Sequence, residues 1–355
     1  MLKTFSKCLG SLVLCEQPRR EEFGSQSRSL KVGSCQYVGN KQIEDRIAFG
    51  TSNKGIFFMT VLDGHGGFQL ADHLSKRLPE LFYEEKENDE LFNMKEMFLR
   101  ADSEWLDFVR PMYFAGFTGP IKVGACAVAV AIDTESIVVA NVGDCRCVLA
   151  SKDGKVADLS IERNANLESE QARLRLLHPG EEDVVKCKRS WQEEDTKGKW
   201  FTSKNIITKY SGCYVKGRLQ PTKSFGDFHL KEEYVGFDPE RNRPFLDPTT
   251  GKSFPYIDAN PDVSRRIRSK DDMFLIAATD GLWDQFSSEE AVKIVETALR
   301  SGRNPDQAAE DLIEAALVRA ASNNQMSLLE MKLVPPGSNR RNLHDDISVC
   351  VVEFP

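Results

Sequence analysis

Hydrophobic residues along this chain fall into two kinds of pattern. Strand-like segments, rich in β-branched and aromatic residues, occupy Ser34 to Val38, Ile56 to Leu62, Val123 to Ile132, Ser136 to Val142 and Arg146 to Ala150. Asp272 to Thr279 and Ile347 to Phe354 have the same character. Their length and composition predict buried strands, and the short step from Ile132 to Ser136 suits a hairpin. Elsewhere apolar residues recur three and four apart, as a helix with one covered face requires. Leu70, Leu74, Leu78 and Leu81 predict a helix over Phe68 to Phe82. Ser287-Ser-Glu-Glu290 is a capping box opening a second helix through Val292, Ile294, Val295 and Leu299. Asn304-Pro305 opens a third, whose covered face takes in Ala309, Leu312, Ile313, Ala316, Leu317 and Ala320.

Strands come in groups, with helices gathered around them and no strict alternation, so the predicted class is α+β. Residues 1–33 read as a tail. Leu2, Phe5, Leu9, Leu12 and Val13 share a helical face there, which suits either a helix packed on the body or a presequence. Residues 34–355 read as one domain, interrupted by polar insertions near 181–217 and 237–256, the usual place for substrate-selecting loops.

Composition narrows the partners. Hydrophobic residues at 41% and charged residues at 28% are ordinary for a soluble globular chain. A net charge of −7 without a basic stripe argues against nucleic acid or an acidic membrane as the main partner. No stretch approaches the roughly 20 apolar residues of a transmembrane span. Nine cysteines without a Cys-x-x-Cys pair read as reduced, mostly buried thiols of an intracellular protein. A monomer in the cytoplasm is expected, with the mitochondrion as alternative if the tail is a targeting segment.

Candidate chemistry lies where apolar runs meet acids. One run ends on Asp63, another on Asp280, and a third begins at Asp345. A carboxylate at the rim of a buried strand is costly to desolvate without a positive partner. Several gathered together repel one another, so a divalent ion is the cheapest common partner, and oxygen ligands favour magnesium or manganese. Asp63-Gly64-His65-Gly66-Gly67 reads as a tight turn after its strand, with His65 able to protonate a leaving oxygen. Glu44 and Asp45 alone read as part of a solvated turn. Asn141 to Arg146 reads as a structural turn with Asp144 facing Arg146, and Thr222 to Asp227 carries little signal by itself.

The ordered motifs Ile43-Glu-Asp-Arg, Val61-Leu-Asp-Gly-His-Gly-Gly, Gly124-Ala-Cys-Ala, Ala140-Asn-Val-Gly-Asp-Cys-Arg, Gly217-Arg-Leu-Gln-Pro-Thr-Lys-Ser-Phe-Gly-Asp, Ala278-Thr-Asp-Gly-Leu-Trp-Asp and His344-Asp-Asp-Ile-Ser-Val resemble those of the metal-dependent, PPM-type (formerly type 2C) serine/threonine protein phosphatases. The resemblance spans about Ser34 to Phe354. It implies two packed antiparallel β-sheets with α-helices on both outer faces, acting on phosphoserine and phosphothreonine in protein substrates. It implies two Mn²⁺ or Mg²⁺ ions bridged by Asp63, with the Gly64 carbonyl on one and Asp280 and Asp345 on the other. Glu44 and Asp45 would hold metal-bound waters, His65 would be the general acid, and Asp284 with Glu162 would serve a third ion.

Departures from the family pattern matter too. Asn40 stands where many members carry a phosphate-contacting arginine, which leaves Lys41 or Arg46 as replacements. Glu162-Arg163 stands where an aspartate and a histidine are usual. Asn40, Arg173-Leu-Arg-Leu-Leu-His-Pro179 and Gly217-Arg-Leu are similar to the pyruvate dehydrogenase phosphatase branch, which transfers no substrate. The rival readings are a catalytically inactive scaffold on the same fold and a hydrolase of small phosphorylated molecules.

Overall fold

Each apolar run is a strand in the computed structural model, which describes residues 30–52, 55–84, 90–197 and 202–355. The chain opens with β1 (Lys31–Tyr37), β2 (Arg46–Thr51), β3 (Phe57–His65), α1 (Gln69–Glu84) and α2 (Glu90–Phe114). Next come β4 (Gly124–Ile132), β5 (Ser136–Val142), β6 (Arg146–Ser151), β7 (Val156–Asp158) and α3 (Glu168–Leu177). The first insertion carries β8 (Val185–Lys197) and β9 (Thr202–Val215), the short β10 (Phe225–Gly226) follows it, and the second insertion carries β11 (Phe237–Asp238) and β12 (Arg243–Pro244). β13 (Asp262–Ile267), β14 (Asp272–Ala278), α4 (Asp280–Trp283), α5 (Ser288–Arg300), α6 (Pro305–Asn323), α7 (Leu328–Leu333), α8 (Ser338–Arg341) and β15 (Ile347–Glu353) follow.

The strands form two antiparallel sheets, ordered β1-β15-β14-β6-β7 and β13-β5-β4-β3-β2, with β10 added against β4. Successive residues of a strand face opposite sides, and here both sides are covered. Phe57, Met59 and Val61 of β3 meet Cys147, Leu149, Leu275 and Cys350 between the sheets. Phe58 and Leu62, on the other face, pack beneath α1 and α2. In β14, Leu275 and Ala277 point inward, whereas Phe274, Ile276 and Ala278 pack under α5 and α6. The result is a sandwich with helices on both outer faces. Its doubly covered strands explain why the apolar runs show so little alternation.

Leu70, Leu74, Leu78 and Leu81 of α1 are fully buried. The Ser287 and Asn304 side chains cap α5 and α6, each accepting from the backbone N–H three residues on. α2 is absent from the sequence reading. Its covered positions, Met94, Met97, Phe98, Ala101, Trp105 and Val109, keep helical spacing but mix small and aromatic residues among acids, a weaker signal than four leucines.

β1 begins at Lys31, ahead of the predicted Ser34, and the tail expectation for residues 1–29 lies outside the described residues. The first insertion pairs β8 with β9 along a hairpin, with a bulge between Lys188 and Arg189. Both insertions contribute to one satellite core containing Val184, Val215, Leu246, Tyr256 and Ile257. Buried Lys216 ties them together, donating to Glu181 at 2.8 Å, Asp183 at 2.7 Å and the Gly251 carbonyl at 3.1 Å. The expectation of reduced cysteines holds for buried Cys35, Cys126, Cys145, Cys147 and Cys350 but not for Cys187 and Cys213. Those two face each other across β8 and β9 and are disulfide-bonded. Among the described residues no helix is long and apolar enough to cross a membrane.

β1 lies so close to the first turn of α6 that a Cβ on Gly33 would sit 2.0 Å from the Asp306 nitrogen. The same approach lets the Ser34 N–H donate to Asp306 Oδ1 at 3.0 Å. Because the obstructing atoms are backbone, Gly33→Ala is expected to cost about 1–3 kcal/mol. A thermal unfolding midpoint equal to that of the unaltered protein would refute the packing argument.

Candidate active site

Strands from both sheets deliver acids to one end of the sandwich. Asp63, Gly64 and His65 remain on β3, paired with Cys126, Ala125 and Gly124 of β4, so the predicted turn begins only after His65. β14 ends just before Asp280, which opens α4, and Asp284 caps the other end of that helix. β5 ends at Val142 and leads through Gly143 into Asp144. Asp63, Asp144 and Asp280 each offer a carboxylate oxygen, and these oxygens lie within 4.8 Å of one another. Asp144 is thereby a member of the acidic cluster, contrary to its reading as a structural residue paired with Arg146. Its Oδ2 accepts from the Asn164 amide at 2.7 Å.

Charge gathers at this end faster than it is neutralised. Burial pushes the Asp63 carboxyl well up, and the charges of Asp280, Asp45, Asp345 and Asp144 add to the effect. Asp280 is pushed well up in the same way, by burial and then by Asp144, Asp345 and Asp284. Its Oδ1 is buried without a hydrogen-bond partner. Burial also raises Asp284, aided by Asp144. Burial takes Asp345 to about 6 even though Arg341 pairs with its Oδ2. An orphaned buried oxygen within a set of hard, mutually repelling donors fits a divalent cation.

The loop carrying Glu44 and Asp45 closes over this cluster. Asp45 is buried, accepts from the Thr279 hydroxyl at 2.9 Å, and is raised well above its ordinary value by burial and by Asp346. Glu44 is raised by burial and Asp346, against the lowering influence of His65 and Arg341. The Asp346 carboxylate holds the loop in place. It accepts from the backbone N–H groups of Gly39 at 2.6 Å, Asn40 at 2.9 Å and Glu44 at 2.8 Å, and from the Asn40 side chain at 3.1 Å. The two acids of the expected solvated turn are thus drawn into the site.

Two expected residues, Glu162 and Arg46, are engaged elsewhere, and a third, Lys41, is exposed. Glu162 pairs with Arg146 at 2.6 Å and is not part of the close carboxylate group, from which Asp345, paired with Arg341, is also absent. Arg146 also stacks over Trp283, 4.7 Å from the ring centroid. The Arg46 guanidinium is likewise occupied, with Nε on Asp72 and Nη1 on the Ile43 and Asp45 carbonyls, so it is poorly placed to receive phosphate. Lys41 is exposed on the loop.

His65 lies against a residue the sequence reading left without a role. Its Nε2 is 2.7 Å from Asp227 Oδ2, which also accepts from the Ser224 hydroxyl at 2.7 Å. Asp227 sits at φ 51°, a left-handed conformation uncommon for a non-glycine residue. Gly124 makes room for the pair, since a Cβ there would come within 2.2 Å of the imidazole and 2.0 Å of the carboxylate. Burial alone would lower the imidazole pKa, but the charge and hydrogen bond of Asp227 outweigh it and the net shift is upward. Nothing local in Thr222 to Asp227 announces this contact, which joins residues 162 positions apart.

A family model described as protein phosphatase 2C matches residues 31–325. The chain is 33% identical over 305 residues to the probable protein phosphatase 2C 67 of Arabidopsis thaliana, covering 83% of this chain and 73% of that protein. It is 33% identical over 308 residues to the probable protein phosphatase 2C 38 of the same plant, covering 83% and 71%. A serine-threonine phosphatase 2C from Toxoplasma gondii has a similar fold, with a TM-score of 0.56 and 17% identity over 92% of this chain and 95% of that one.

The His65–Asp227 pair makes a direct prediction. A carboxylate favours the imidazolium, so Asp227→Asn should move the His65 titration to lower pH. Nuclear magnetic resonance titration of the chelator-treated protein reads this shift. An unchanged midpoint would show that Asp227 does not set the protonation of His65.

Proposed function

The chain belongs to the protein phosphatase 2C family, and from that premise we propose how its acidic end acts on phosphorylated protein. The enzyme is a metal-dependent serine/threonine phosphatase, and its substrates are phosphoproteins. The site assignment rests on one observation above the others: Asp63, Asp144 and Asp280 bring three carboxylate oxygens within 4.8 Å of one another. With Asp345 and the Gly64 carbonyl, these residues would hold two Mn²⁺ or Mg²⁺ ions, and Asp284 would support a third. When bound, such ions generate a nucleophilic water at neutral pH and neutralise phosphoryl charge.

The remaining work falls to the chain itself. Glu44 and Asp45 orient water at the cluster through their carboxylates. His65, kept basic by Asp227, holds a proton near neutrality and delivers it to the departing serine or threonine oxygen. The thiols of Cys126 and Cys145, beside the cluster, do not compete as nucleophiles. Burial, with the charges of Asp144 and Asp63, pushes Cys126 and Cys145 well above the ordinary thiol range and keeps both protonated. All these groups come from one chain, so a monomer carries a complete site.

An inactive scaffold on this fold would be expected to have lost metal carboxylates, whereas Asp63, Asp144, Asp280 and Asp345 are all retained. Asp63→Asn and Asp280→Asn are each expected to abolish manganese-dependent phosphate release from a phosphothreonine peptide. Full activity in either variant, or turnover that persists in a strong chelator, would defeat the assignment. Preference for small phosphate esters over phosphopeptides would favour the small-molecule rival. His65→Ala should lower turnover while leaving manganese affinity intact, and an unchanged rate would remove it from the proton-donor role.

A further inference from the structure

A phosphatase of this kind must hold the phosphoryl oxygens of its substrate, and a guanidinium is the protein donor best shaped for them. The family position for a phosphate-binding arginine is Asn40 here. That residue is committed, because its backbone N–H and side-chain amide both donate to buried Asp346. Arg46 is occupied by Asp72 and two backbone carbonyls. The loop therefore supplies no arginine from its own sequence.

An arginine reaches the same place from the opposite direction. α8 lies against the loop: the Gly337 N–H donates to the Gly39 carbonyl at 3.0 Å and Arg340 Nη1 to the Val38 carbonyl at 3.1 Å. Gly39 in turn touches the backbone of Asp345, where an added Cβ would be 2.8 Å away. Arg340 is buried in this join, leaving Arg341 to project from the end of the helix. Arg341 pairs one nitrogen with Asp345 Oδ2, and 47% of its side chain stays exposed. Its charge is felt at Glu44, Asp284 and Asp345, acids spread across the cluster. It is thus a cation at the mouth of the site with donors still open to solvent.

We propose that Arg341 binds the phosphoryl group of the substrate, taking over from α8 the role that position 40 does not fill. The proposal rests on the phosphatase reading above. A guanidinium presents five N–H donors in a planar fork, so it can hold a carboxylate and a phosphoryl oxygen together or pass from one to the other. A divalent cation engaging Asp345 competes with Arg341 for that carboxylate. A guanidinium displaced in this way would keep its exposed donors for a phosphoryl oxygen. The same group that offsets the excess of acids becomes a phosphate contact.

The experiment compares the unaltered chain with Arg341→Ala, Arg341→Lys and Lys41→Ala. It measures the KM and kcat for a phosphothreonine peptide, the inhibition constant of inorganic phosphate, and manganese affinity by calorimetry. Arg341→Ala should raise both the KM and the phosphate inhibition constant about tenfold or more, the scale of one charge-assisted hydrogen bond. Arg341→Lys should fall between, because a point charge replaces the fork. Manganese should bind Arg341→Ala at least as tightly as before, since a competitor for Asp345 has gone. An unchanged KM and inhibition constant would overturn the proposal, as would a loss carried by Lys41→Ala instead. A parallel weakening of manganese binding would also overturn it, by placing the effect at the metal centre. Absence of turnover in the unaltered protein would defeat the phosphatase reading itself, an outcome distinct from these.

Discussion

Repulsion among carboxylates at one end of a rigid sandwich is the constraint around which this molecule is organised. Two like charges about 4 Å apart interact by about 4 kcal/mol at an effective dielectric of 20. A few such pairs together match the whole stability of a typical domain, about 5–15 kcal/mol. A cluster of this kind either keeps some protons or takes up cations. The upward shifts at Asp63, Asp280 and Asp345 express the first tendency, and the donor set invites the second. The fold supports the strain because the acids stand at the ends of strands whose interiors are sealed on both faces. Met59, Val61, Leu275 and Cys350 leave the strand ends little freedom to separate.

Much of this was legible because the rule is simple: an apolar run that stops on an acid puts that acid at the rim of a sheet. Asp63 and Asp280 follow that rule and lie together, whereas Asp345, just ahead of β15, pairs with Arg341 and stands outside the closest group of carboxylates. Asp144 obeys the same rule, at the end of Ser136 to Val142, yet the nearby Arg146 suggested a local ion pair and disguised it. The structure gives Arg146 to Glu162 and the Trp283 ring instead. Proximity along the chain was a poor guide to pairing once strands reversed direction.

Contacts made by loops were not legible from local pattern, and for Glu44 and Asp45 only the family resemblance pointed to the site. Asp227 reaches His65 through a left-handed backbone and a gap left by Gly124, a coincidence of three distant segments. The Cys187–Cys213 pairing depends on the register of a long hairpin, which composition does not set. Glu44 and Asp45 looked solvated because their four-residue neighbourhood is polar. They are drawn inward by Asp346 and Thr279, which belong to the far end of the chain.

Asp346 shows how one acid differs from its neighbour in kind. Asp345 leans on a cation, whereas Asp346 is buried and satisfied by N–H groups. A carboxylate accepting several backbone donors fixes the geometry of the segment that donates. Here that segment runs from Gly39 to Glu44, so Asp346 sets where Glu44 can stand and claims the side chain at position 40. The phosphate contact is then released from the loop and becomes available to any cation that the packing of α8 brings alongside. The commitment of Asn40 to Asp346 and the approach of α8 to the same loop are in this sense two consequences of one packing arrangement.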